Sequence, residues 1–378
     1  MKRALLLAVP LLVAVAGCTD NSAAADDAIA VTSTEDACQL AATEAPSGTL
    51  TFSVTNAGQQ VTEFYLLADD GLRILGEVEN IGPGLTRDLV LAAPAGSYRT
   101  ACKPGMTGDG IQAAFTVTES GADLAPSGEF ADEIQAAADT YALYVQDQAE
   151  QLVADTDEFA AAYLAGDDDR ARAMYAPTRM HWERIEPVAE SFGDLDPKLD
   201  LREADLEPGQ DWTGWHRIEK DLWPPAGYKA MSDNQRQRIT ALLVADTATL
   251  LSRVEDQSYR ADQLGNGAKE LLDEVATGKV TGEEEAWSHT DLWDFQANVD
   301  GARVAFEALQ PVVQGKDAEL AQDLQQRFDD VQAALDQHRD GEGFVFYTDL
   351  TDQQVKQLVA KVDALAEPLS QLTATVIT

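Results

Sequence analysis

Within residues 181–223, HWERIEPVAESFGDLDPKLDLREADLEPGQDWTGWHRIEKDLW, His216 and Glu219 stand three apart. On a helix such a pair shares one face and can aim an imidazole and a carboxylate at the same point. Upstream lie Glu183, Glu186, Glu190, Asp194, Asp196, Asp200, Glu203 and Asp205, an unusually acidic run to be interleaved with aromatic residues. One neutral imidazole among carboxylates suits iron, manganese or zinc, whereas softer metals want thiolate. A bare HxxE occurs in many helices, and its plainer reading is a surface ion pair with Arg217 or Lys220, worth little. The surrounding run favours the metal. Within it Glu219 is either a ligand or the acceptor that orients the ring, as metal-bound histidines usually require.

The other candidates are weaker. Trp212, Trp215 and Trp223 read as packing around the site. His181 and His289 read as local hydrogen-bonding residues, and His338, within DQHRD, as solvated. Glu283-Glu284-Glu285 reads as a solvated face or a helix start favoured by the dipole.

A chain of 378 residues exceeds one usual domain. Its formal charge of −39 argues against nucleic acid, which needs clustered Lys and Arg. The same field attracts cations without choosing among them.

Met1-Lys2-Arg3, an apolar run from Ala4 to Gly17 and then Cys18 follow the plan of a secretory signal. Val15-Ala16-Gly17-Cys18 resembles a lipobox, so residues 1–17 read as a lipoprotein signal peptide and Cys18 as the lipidated first mature residue. Residues 18–28 form a small, polar tether. The protein is thereby expected to be extracytoplasmic and lipid-anchored to the cell membrane. Cys38 and Cys102 remain, and in an oxidising compartment a disulfide is their default reading.

From residue 29 to 118 the pattern has period two with frequent turns, as in Gly48–Val54 before Asn56-Ala57-Gly58, which predicts a small β-sandwich. Phe52–Gly58 followed by Glu63-Phe64, and Gly96–Met106 around Cys102, resemble cupredoxin segments. Glu63 stands where a metal histidine would be. The domain holds no histidine, so a His₂Cys copper site cannot be built from it. A Cys38–Cys102 disulfide is preferred here, and a remodelled second metal site using Cys38, Cys102 and Glu63 is the alternative.

Residues 119–130 read as a linker. From 131 to 378 apolar residues recur at three- and four-residue steps, which predicts an all-α bundle. Tyr141, Val145, Leu152 and Phe159 line one stripe of a helix ending near Ala165-Gly166. A second helix from Asp167 to Phe192 is expected to bend at Pro177 or Pro187. Another opens at Met231-Ser232-Asp233, and further helices cover 259–278, 288–313, 316–339 and 351–374.

Three runs carry a wider resemblance: Glu183–Pro197, Trp212–Lys220 and Ser288–Phe295. With them the chain resembles the iron-binding components of EfeUOB-type uptake systems, built from a cupredoxin-like and a peptidase-M75 or imelysin-like domain. The resemblance implies iron, Fe2+ or Fe3+, held in the helical domain, with zinc as a surrogate. It implies His216, Glu219 and Glu183 as ligands, with Asp200 and Glu150 added from the family-like acids. It leaves copper possible in the N-terminal domain, and it implies an EfeU-like iron permease and an EfeB-like haem peroxidase as partners.

The competing class is a metal-dependent peptidase of the M75 type. Zinc peptidases commonly carry HExxH, and no second histidine lies within a turn of His216. A non-enzymatic metal carrier is therefore preferred.

Overall fold

The computed structural model describes residues 28–377 except 107, 109, 207, 256 and 278; the signal sequence and Cys18 lie outside the described residues. The N-terminal strands run β1 (Ile29–Ser33), β2 (Cys38–Leu40), β3 (Glu44–Pro46), β4 (Gly48–Asn56), β5 (Thr62–Ala68), β6 (Ile74–Ile81), β7 (Thr86–Ala93), β8 (Gly96–Pro104) and β9 (Ile111–Thr118). They make two facing sheets, in the orders β2-β1-β4-β7 and β3-β9-β8-β5-β6. The period-two pattern sets the faces: along β4, Leu50, Phe52 and Val54 point inward while the residues between them do not. Phe52 meets the rings of Phe64 and Phe115 from the opposite sheet at 5.1 and 5.4 Å.

Cys38 on β2 and Cys102 on β8 are joined by a disulfide that links the two sheets. Both thiols are thereby consumed, and the thiolate alternative for a second metal site falls. Glu63 is also committed: it is buried, accepts a hydrogen bond from the Tyr65 hydroxyl and lies 3.9 Å from Lys103 Nζ.

The helical domain follows as α1 (Ala131–Leu164), α2 (Asp168–Glu183), α3 (Glu186–Glu190), α4 (Asp196–Leu199), α5 (Trp215–Leu222), α6 (Asp233–Glu255), α7 (Ala261–Thr277), α8 (Asp291–Lys316) and α9 (Ala318–Leu335). A two-residue pair, β10 (Arg339–Asp340) and β11 (Gly343–Phe344), precedes α10 (Asp352–Leu369) and α11 (Leu372–Ile377). The apolar stripe of α1 is fully engaged, with Tyr141, Val145, Leu152 and Phe159 all buried. The expected 167–192 helix is two helices. α2 runs through Pro177 and stops at Glu183, and the chain turns at Arg184 and Ile185 before Pro187 enters the first turn of α3, where its missing N–H costs nothing. His338 corrects the expectation of a solvated residue: it is buried on a short turn after α9.

The two domains meet at α7. β6 and β7 are the edge strands of their sheets, and an open edge invites pairing with other chains. Side chains of and just before α7 cap it instead. Asn266 donates to the Val90 carbonyl (3.0 Å), Asp262 accepts from the Ala92 N–H (2.9 Å), and Arg260 donates to the Ala92 carbonyl (3.1 Å). Beside these polar contacts, Glu77 and Glu79 of β6 face Glu270 of α7. Burial, and then the like charge of Glu79, pushes the Glu270 carboxyl up to about 8.

The disulfide closes a segment of 64 residues. Cys102→Ser is expected to lower the melting free energy by about 2–5 kcal/mol through a less constrained unfolded chain, read by thermal denaturation with and without reductant. Glu270 offers a second check. Its pKa is raised on folding, so between about 5 and 8 the native chain holds a proton that the unfolded chain has lost, and stability falls as pH rises through that window. Glu270→Gln is expected to flatten this slope in denaturant titrations; an unchanged slope contradicts the buried acid contact.

Candidate metal centre

Three short-range devices bring the acidic residues together. On α2, Arg179 and Glu183 stand four apart on one face, and the guanidinium pairs with the Glu183 carboxylate. On α5, His216 and Glu219 stand three apart, with His216 Nδ1 3.3 Å from Glu219 Oε2. On α8, Asp291 and Asp294 repeat that spacing in the first turn.

Loops then set the elements against each other. Gly214 precedes α5 at φ +83°, and a Cβ there would stand 2.1 Å from the Leu199 carbonyl oxygen. Only glycine lets the start of α5 lie against the end of α4 so closely. Thr213 Oγ1 donates to the Lys198 carbonyl (2.8 Å) and Trp212 Nε1 to that of Leu201 (2.7 Å). Asp200, between those anchors, is carried to the imidazole: His216 Nε2 lies 3.3 Å from Asp200 Oδ1 and 3.3 Å from Glu284 Oε1.

Glu219 has a separate task. Its Oε1 accepts from the backbone N–H groups of Trp287 (2.9 Å) and Ser288 (2.7 Å). It therefore holds both the imidazole and the 284–288 segment. Ser288 Oγ donates to Glu285 Oε2 (2.8 Å), and Trp182 Nε1 to Asp200 Oδ2 (2.8 Å).

The result is a buried cluster of Glu183, Glu186, Asp200, Glu219, Glu284, Glu285, Asp291 and Asp294 around two buried fixed cations, Arg179 and Lys279. Arg179 is wholly buried, paired with Glu183 and Asp200, with its Nε 2.6 Å from Glu285 Oε1. Lys279 Nζ donates to Glu183 (2.6 Å) and Glu186 (2.7 Å). Carboxylates outnumber the cations, and the pKa values divide accordingly. Burial would raise Asp200, but Arg179 and His216 hold it well below the usual range; Glu284 is likewise held at about 2 against burial by His216 and Lys279. Glu285 and Asp294 go the other way, raised by burial and then by neighbouring carboxylates. Burial and Arg179 favour a neutral His216, yet Asp200, Glu219 and Glu284 outweigh them and raise its pKa.

His216 Nε2 faces two carboxylates but has no aligned hydrogen bond, although it is buried. Asp294 Oδ2 and Asp291 Oδ2 are also unpartnered. Burying a polar group without a partner is costly, so an imidazole nitrogen aimed at Asp200 and Glu284 fits a cation. Ligand atoms of Asp200, His216 and Glu284 fall within 4.8 Å of one another, as do those of His216, Glu219 and Glu285. Borderline nitrogen with hard oxygen suits iron, manganese or zinc. Asp200 and Glu284 line a cleft of about 260 Å³ whose other wall includes Glu63, Glu79 and Met106 of the β domain.

Of the residues expected to ligate, His216, Glu219, Glu183 and Asp200 are brought together. Glu150 is not: it is exposed on α1, where Gln146, one turn away, donates to its carboxylate (2.9 Å). Glu284 and Glu285 reverse the reading of a solvated run, because the 3₁₀ turn at Lys279–Thr281 folds them back under α5 and α2. Arg179, Lys279, Asp291 and Asp294 were not read as site residues. The i,i+4 spacing of Arg179 to Glu183 and the i,i+3 spacing of Asp291 to Asp294 were the available signals. His181 bonds Gln148 (2.9 Å) and Asp155 (3.3 Å) locally, as read.

Fold and site together describe a two-domain protein, a cupredoxin-like sandwich joined to an imelysin-type helical domain. The imelysin family profile matches residues 137–372 and the cupredoxin-like profile residues 7–117. The iron uptake system component EfeO of Escherichia coli K12 is 36% identical over 347 residues, covering 91% of this chain and 90% of the relative. The EfeO proteins of Yersinia pestis and Shigella flexneri match with the same identity and coverage. The chain belongs to the EfeO family of iron uptake system components.

Gly214→Ala tests how the centre is positioned. A Cβ that meets the Leu199 carbonyl at 2.1 Å, at a positive φ, must push α5 away from Asp200. A loss of roughly 1–3 kcal/mol is expected from backbone strain, together with weaker cation binding in calorimetry. A variant as stable and as tight-binding as wild type contradicts this placement.

Proposed function

We propose that this protein captures iron outside the cytoplasm at the His216–Asp200–Glu284 position and passes it to an EfeU-like membrane permease, with an EfeB-like haem peroxidase in the same system. The supporting observation is the unpartnered, buried His216 Nε2 at 3.3 Å from both carboxylates. Glu219 acts here by orienting the ring and fixing the 287–288 backbone, and Glu183 by anchoring Arg179 and Lys279. Iron is the cargo; zinc serves as a redox-inert probe of the same donors. Cys18 supplies the lipid anchor. Among the described residues no helix is long and apolar enough to cross a membrane.

Loading competes with a proton for His216, whose carboxylate neighbours raise its pKa, and release at lower pH follows from the same competition. The cleft between the domains supplies the route, since Asp200 and Glu284 line it. A peptidase of the M75 type would need the same metal, and metal-dependent peptide turnover by the wild-type protein would favour it over carriage.

His216→Ala is expected to abolish measurable iron or zinc binding while the fold persists. Glu219→Gln is expected to cost about 10–100-fold in affinity, as partners that orient a metal-bound histidine do. Calorimetry with circular dichroism on the full chain reads both. Undiminished affinity in a folded His216→Ala protein would move the site elsewhere.

A further inference from the structure

The centre contains another carboxylate group with metal-like spacing. Oxygens of Glu183, Glu186 and Asp200 lie within 4.8 Å of one another. This second group already has a cation. Lys279 Nζ stands 2.6 Å from Glu183 Oε2, 2.7 Å from Glu186 Oε2, 3.1 Å from Glu274 Oε2 and 3.1 Å from Asn298 Oδ1. Four oxygen neighbours exceed the three protons an ammonium can donate. The arrangement resembles a hard cation in an oxygen cage more than a lysine in a simple ion pair.

The lysine is also fixed in place. Its backbone lies in the 3₁₀ turn Lys279–Thr281. The Tyr347 hydroxyl donates to the Val280 carbonyl (2.6 Å). Gly282 follows at φ +73°, where a Cβ would stand 2.7 Å from the Tyr347 ring. Asn298 Nδ2 donates to the Glu183 carbonyl (2.8 Å), so the oxygen cage is held from α8 as well. The side chain is buried, with 2% of the residue exposed.

We propose that Lys279 is a tethered cation filling a second cation position of this centre, so that the protein loads one fewer metal ion than its carboxylates could hold. The inference rests on the reading that the His216 group binds a cation. Two neighbouring multivalent ions would share Asp200, and their mutual repulsion would be relieved only by drawing in further carboxylates. A single positive charge held by the chain keeps Glu183 and Glu186 in place at lower total charge. It leaves the position beside His216, among the described residues, as the exchangeable one. Lys279 is in this sense a positioning residue that sets capacity and does not touch the cargo.

The test counts ions. Native mass spectrometry of the full chain with Zn2+ is expected to show Lys279→Met taking up one more ion than wild type. Equal uptake by the two proteins overturns the inference while leaving the His216 centre standing. Wild type without any bound Zn2+ overturns the underlying reading instead. Removing Lys279 leaves buried carboxylates unpaired and is strongly destabilising. If the variant does not fold alone, Zn2+ is expected to restore the fold, and failure to restore it counts against the proposal. Glu186→Gln provides an independent arm, since Lys279 keeps Glu183 and Glu274 as partners. Its Zn2+ affinity by calorimetry is expected to stay within about tenfold of wild type; a larger loss would place Glu186 on the exchangeable ion and overturn the assignment.

Discussion

The rest of this structure depends on a surplus of buried carboxylates around one guanidinium. Arg179 is fully buried between acids from α2, the end of α4, the 284–285 turn and α8. Taking each of these charges out of water costs several kcal/mol, and removing one partner of such a pair is more damaging than replacing the whole network. The fixed cations are too few to neutralise all the acids. Burial and neighbouring carboxylates raise Glu285 and Asp294, which favours their neutral forms. Another part gathers at His216, whose ring is drawn toward a positive state by three carboxylates. A multivalent cation at Nε2 satisfies the same demand more completely than a proton. The network that helps hold the fold is thus also the one from which the proposed binding position is built.

That network converts local helix geometry into a site. α2, α5 and α8 each supply residues three or four apart, and contacts that involve the backbone help set their register. Gly214 against Leu199, Glu219 under Trp287 and Ser288, and Asn298 on the Glu183 carbonyl are the fixed points. The β domain enters through α7, which caps the β7 edge and leaves an acid-lined cleft between the domains. The cleft gives Asp200 and Glu284 a route to solvent while His216 stays buried.

Much of this was legible in the sequence. Period-two and period-3.6 patterning separated the domains, since β4 and α1 bury the residues that their periodicities select. The cysteine pair read as a disulfide because a β domain expected, from its leader, to be exported has few other uses for two thiols. HxxE located the imidazole. What stayed hidden depended on contacts far apart in the chain. A run such as Glu283-Glu284-Glu285 looks solvated until a 3₁₀ turn folds it under two helices, and nothing local distinguishes it from an exposed acidic patch. Glu150 shows the reverse case: an acid in a family-like stretch faces solvent because its helix buries the neighbouring Ala149 and Leu152. Buried cations such as Arg179 and Lys279 escape a search for ligands, although they decide which carboxylates remain available.

The central claim is that the centre offers one exchangeable position at the Nε2 side of His216. Crystals of the full chain grown with iron, measured on both sides of the iron absorption edge, test it most directly. The account predicts one strong anomalous peak in the helical domain, within bonding distance of His216 Nε2 and between Asp200 and Glu284, with Lys279 still seated on Glu183 and Glu186. A peak at Glu63 and Met106 in the β domain, with none at His216, would contradict it.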